Sequence, residues 1–166
     1  MKTLTNTLSG ILCLLFISTI SLAQPIHLDE EQVPAKVKIG FNEKYPHAED
    51  PIWQKEENGL YTAQYWDIEN DIYITAYHEE DGTWFKSVME VTPDAFTEAL
   101  RQYFKTNYEE VPISTVYATQ EPGGKVTFKV LLELEDKLLT LIMDKRANII
   151  EQIEENIQVS VTDDDK

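Results

Sequence analysis

Hydrophobic and polar positions alternate through most of the chain in two ways. From Phe96 the apolar residues Phe96, Ala99, Leu100, Tyr103 and Phe104 fall at i, i+3, i+4, i+7 and i+8, which predicts one buried face of a helix. Thr92 is placed to cap it, Pro93 suits its first turn and Asp94 suits its dipole. Val33-Pro34 opens a similar pattern 59 residues earlier, where Val37, Gly40, Phe41, Lys44 and Tyr45 follow the spacing less cleanly. Period-two patterns follow each helix. They predict strands at about 51–57, 60–67, 71–78 and 83–91, then at about 112–121, 125–134, 137–144 and 148–156. Asn58-Gly59, Asn70-Asp71, Asp81-Gly82, Gly123-Gly124 and Glu135-Asp136 supply turn chemistry between them. Ile72, Ile74 and Ala76 share one face of a strand, and Tyr73, Thr75 and Tyr77 the other.

The predicted order is a helix and four strands, twice. Tight turns make neighbouring strands antiparallel, and each amphipathic helix must lie on a sheet to bury its apolar face. The expected fold class is therefore α+β, a tandem repeat of a helix plus a four-stranded antiparallel sheet. Periodicity does not decide whether the second half continues the first sheet. The expected organisation is a signal peptide at 1–23, a loose leader at 24–32, a first unit at 33–91, a second at 92–156 and an acidic tail at 157–166.

The first 23 residues carry one charge, Lys2, an apolar run from Ile11 to Ile20 and small residues before Gln24. That run is short for a membrane span. Cys13 lies within it, preceded by Leu12, which does not fit a lipoprotein anchor. Cleavage would leave 143 of 166 residues, with 13 basic against 30 acidic residues, a net charge of −17, and no cysteine. Nucleic acid and anionic membranes would repel such a chain. A disulfide framework and a thiolate metal site are excluded.

"VPAKVKIGFNEKYPHAEDPIW", "NGLYTAQY" and "EEDGTWFKS" resemble the PepSY-like family of β-lactamase-inhibitor-like (BLIP-like) periplasmic proteins. The matching residues are Val33-Pro34, Lys44-Tyr45-Pro46, Trp53, Tyr61-Thr62-Ala63 and Asp81-Gly82-Thr83-Trp84. The second unit departs from the pattern at Asn107-Tyr108 and Ala147-Asn148. The resemblance implies a periplasmic or secreted protein of helix-plus-sheet units. It brings no catalytic residues, and the inhibitor-like label describes shape rather than activity.

Candidate chemistry is sparse. His47, Glu49 and Asp50 crowd one corner, but zinc sites recruit two or more His or Cys, and His27, His47 and His78 are far apart in sequence. "HEEDG" at 78–82 lacks the second histidine of a zinc-protease motif. Glu79, Glu80 and Asp81 could attract calcium without forming an EF-hand loop. No nucleophile elbow or phosphate-binding loop is present, and no cofactor is expected. The aromatics carry the binding signal. Tyr73 and Tyr77 are expected to point away from the helix, joined by Trp66 and Trp84, as a surface for a protein partner. The competing reading makes them ordinary core and cross-strand pairs. The expected function is a non-catalytic binding module, inhibitor-like in shape. The alternative is an envelope protein that binds a small ligand or a cation such as calcium.

Overall fold

The computed structural model describes residues 25–157. The signal peptide expected at 1–23 and residues 158–166 of the acidic tail lie outside them. β1 (Ile26–Leu28) precedes α1 (Ala35–Lys44), which leads to β2 (Ile52–Lys55), β3 (Tyr61–Asp67), β4 (Ile72–His78) and β5 (Trp84–Val91). α2 (Glu98–Asn107) then leads to β6 (Ile113–Glu121), β7 (Lys125–Glu133), β8 (Lys137–Asp144) and β9 (Ile149–Asn156).

The tandem of helix-plus-four-strand units expected from the sequence is not what forms. All nine strands of the described residues make one antiparallel sheet in the order β1 to β9, so this part of the chain is mostly β, with two ten-residue helices. Two pairings cause the difference. β5 joins β6 across the boundary between the halves, from Ser87↔Gln120 to Val91↔Val116. β1, from the stretch expected to be a loose leader, pairs with β2 through His27↔Gln54. A strand edge left open by one half is closed by the next, because unpaired backbone N–H and C=O groups favour a ladder over a free edge.

Register places both helices on the same face of the sheet. Residues directly opposite in an antiparallel ladder point the same way, and Ile74, Met89 and Ala118 stand in one such row. α1 buries Val37 and Phe41 against Trp53, Tyr65 and Ile74. α2 buries Leu100 and Phe104, with Phe96 beside them, against Val116, Phe128 and Leu141. Met89 packs against both clusters and joins them into a continuous apolar layer. Burying Phe41 or Leu100 contributes about 2–3 kcal/mol each.

The start of each helix is held on the last hairpin of its half. In the second half the cap is Thr97 rather than the expected Thr92. Its Oγ1 accepts from the Leu100 amide at 3.3 Å and donates to the Lys145 carbonyl at 2.8 Å. Thr92 instead opens a short 3-10 turn, with its carbonyl accepting from Ala95. In the first half, α1 approaches the β4–β5 turn so closely that a Cβ on Gly40 would lie 2.0 Å from the Gly82 carbonyl oxygen. Gly82 has φ +93° and would itself meet the Lys36 carbonyl at 2.3 Å. Neither position admits a side chain.

Gly40→Ala therefore has a definite sign. Inside a solvated helix, replacing glycine by alanine gains up to about 1 kcal/mol. Here the backbone clash prevails, and the expected outcome is a loss of about 2 kcal/mol with a lower urea midpoint. An unchanged or raised midpoint would show that the contact gives way.

Candidate functional site

Both helices lie on one face of the sheet, and among the described residues no helix covers the other. Trp66 on β3 stands opposite Tyr73 on β4. Their ring centroids lie 4.5 Å apart at 71°, an edge-to-face pair on the surface. Trp66 is 40% and Tyr73 57% exposed, so the pair is available for contact. Tyr77 lies on the same face, half-buried, with Lys86 Nζ 4.6 Å above its ring. Burial raises the Tyr77 phenol pKa, and the charge of Glu56 adds to the rise. Beside Trp66 and Tyr73 a groove of about 720 Å³ opens, walled also by Asp71 and Glu90.

Three of the four aromatics expected to form a surface are thus brought to one face, and Trp84 is not. Counting back from buried Ser87 in steps of two places Trp84 outward. A bulge between β4 and β5 intervenes, so that Tyr77 pairs with Lys86 while His78 pairs with Trp84. Phe85 is left unpaired and 44% exposed, and Trp84 turns to the helix side. The sequence carries no distinctive sign of that extra residue.

On the helix side, Trp84 belongs to a polar cluster that the sequence reading did not assemble. Its indole Nε1–H donates to Ser87 Oγ at 2.9 Å, and Ser87 is also hydrogen-bonded to the Tyr45 hydroxyl. Lys44 Nζ sits 3.6 Å from the Trp84 ring centroid, a close cation–π contact at the C-terminal end of α1. His78 is fully buried beneath them, its ring edge-to-face with Phe41 at 6.0 Å, and among the described residues neither of its nitrogens has a hydrogen-bond partner. The signal for His78 was available in the sequence, since it continues the Ile72, Ile74, Ala76 series inward.

The cluster contains serine, histidine and tyrosine but lacks the geometry of a nucleophilic site. Ser87 is 1% exposed and makes no hydrogen bond to His78, whereas an activated serine needs a base within reach and access for substrate. The corner at His47, Glu49 and Asp50 also gathers no ligand set. Among the described residues no group of three or more His, Cys, Asp or Glu is placed to hold a metal. The Asp81 carboxylate accepts from the Thr83 amide and serves its turn. Among the described residues no helix is long and apolar enough to cross a membrane.

Comparisons with known proteins agree on the fold. A DUF2874 family protein from Bacteroides ovatus superposes with a TM-score of 0.65 at 18% identity, covering 73% of this chain and 86% of its own. A Bacteroides eggerthii chain described among "putative periplasmic proteins" gives a TM-score of 0.66 at 16% identity, covering 74% and 88%. A BLIP-like protein from Bacteroides fragilis gives 0.64 at 15% identity, covering 75% and 88%. At these identities the likeness is one of fold. No family model matches the chain, and a search of curated proteins finds no match.

His78 makes the fold sensitive to acid. Burial, and then the charge of Lys44, lower its pKa to about 4 from 6.5. Between those values the unfolded chain binds a proton that the folded chain does not, so stability falls as pH drops from about 6.5 towards 4. The effect is absent above that window and complete below it. Urea titrations should show the parent losing about 2–3 kcal/mol more than His78→Phe between pH 7.5 and 4.5. Equal losses in both would place the acid sensitivity elsewhere.

Proposed function

We propose that this chain is a non-catalytic periplasmic binding module that recognises a protein partner through the bare face of its sheet. One observation carries the proposal. A tryptophan and a tyrosine form an exposed pair on a face that neither helix covers. Tyr and Trp supply rigid, partly polar contact area at low entropic cost, which suits them to recognition. The signal-like leader in the sequence supports an envelope location, as do the periplasmic and BLIP-like descriptions of the structural neighbours. Inhibition does not follow from a likeness of fold. A calcium-binding role draws on acidic composition alone, since no ligand group converges among the described residues.

The test compares affinity capture from envelope extracts by the parent and by a Tyr73→Ala, Tyr77→Ala variant. The partner retained by the parent should bind the variant at least about tenfold more weakly, the range of a single interface anchor. The melting temperature should fall only slightly, because Tyr73 is largely exposed and Tyr77 is half-buried. Undiminished capture together with a large loss of stability would make these tyrosines structural and end the proposal.

A further inference from the structure

The protein covers several of its aromatic rings with its own lysines. Lys44 lies 3.6 Å from the Trp84 ring centroid, Lys86 4.6 Å from that of Tyr77 and Lys55 4.9 Å from that of Tyr61. Among the described residues no cation lies over Trp66 or Tyr73, although this pair is well exposed. The two rings meet edge to face, and both remain partly exposed to solvent.

The chemistry around the pair is that of a cation site. The lining of the groove beside it includes the acidic residues Asp71 and Glu90, Asn70 and Thr92, and the apolar Ile72 and Val91, with no lysine or arginine. Glu90 is brought there by the β4–β5 register, in which Ile74 faces Met89 one residue away. Asp71 is brought there by the β3–β4 turn, where it adopts φ +56°, a conformation that Asp tolerates better than most residues. Asp71 comes from the β3–β4 turn and Glu90 from β5, and both line the groove together with Trp66 and Tyr73. A basic side chain lying across an indole and ending at a carboxylate gains both cation–π and ionic attraction. The chain's net charge of −16 would steer such a partner towards it.

We propose that the groove between Trp66, Tyr73, Asp71 and Glu90 takes a lysine or arginine side chain of a protein partner. This specifies the chemistry of the partner and rests on the use of the outer face argued above. The aromatic pair positions the cation, and the carboxylates favour a cation over a neutral residue and repel an acidic one. A second copy of this chain, being acidic itself, is disfavoured as the occupant.

The test is an NMR titration of the chain lacking its signal segment. The probe is a capped pentapeptide of alternating threonine and arginine, compared with its citrulline counterpart, which keeps the shape and removes the charge. The arginine peptide should shift the Trp66 indole N–H and the amides of Tyr73 and Glu90 in a saturable way. The citrulline peptide should bind at least about tenfold more weakly, and Glu90→Gln should weaken the arginine peptide about three- to tenfold. Raising salt from about 50 to 300 mM should weaken it further. Equal binding of the two peptides, or shifts confined to the acidic strand β9, would overturn the cation site. Those results would leave the broader partner surface standing, because its test is capture by the Tyr73 and Tyr77 variant. Loss of that surface would appear as unchanged capture, whatever the arginine peptide does.

Discussion

Five residue pairs between β5 and β6, from Ser87↔Gln120 to Val91↔Val116, join the two halves of the chain in one sheet. This ladder constrains everything else. Because Met89 and Ala118 point the same way across it, the helix before β2 and the helix before β6 must lie on a common face. The apolar material of both halves collects there, around α1 and α2. The opposite face is left to side chains that tolerate water, among them Trp66, Tyr73, Tyr77 and Lys86. Had the halves formed separate sheets, each could have used the other to cover that face.

The two ends of the sheet show how such a long ladder is kept from growing. β1 is only three residues long and closes one edge with little template to offer. β9 is longer and exposed throughout, but Glu151, Glu154 and Glu155 make it acidic, and Lys137 holds Glu154 at 2.8 Å across the ladder. Charge on an edge strand opposes further pairing with chains of the same sign. The same negative surplus that blocks self-pairing makes a basic partner the complementary one.

A single bulge separates two chemically distinct regions. By leaving Phe85 out of register it keeps Tyr77 and Lys86 on the outer face and swings Trp84 inward over Lys44, Ser87 and Tyr45. In the inner cluster Ser87 and His78 are buried, whereas Lys44 stays exposed. His78 is fully buried and has no hydrogen-bond partner among the described residues, and burial favours its neutral form. The outer face is thus the one available for contact, while buried His78 and Ser87 bear on stability.

By itself the sequence determined the two helices and the strands β2 to β9, but not β1. The 3.6-residue spacing of Phe96, Leu100 and Phe104 and the alternation in Ile72–His78 depend only on neighbours along the chain. The strand limits expected from them fall within one or two residues of those observed. It also placed Tyr73 and Tyr77 on the face opposite Ile74 and Ala76, because period two needs no partner to be read. The tertiary structure alone decided how the strands join, since the β5–β6 ladder pairs residues about 30 positions apart and leaves no local signature. It decided the face of Trp84 through a one-residue bulge, because such a bulge inverts alternation without altering composition. It also brought Glu90 and Asp71 beside Trp66 and Tyr73, residues from three strands and a turn that only the folded register makes neighbours.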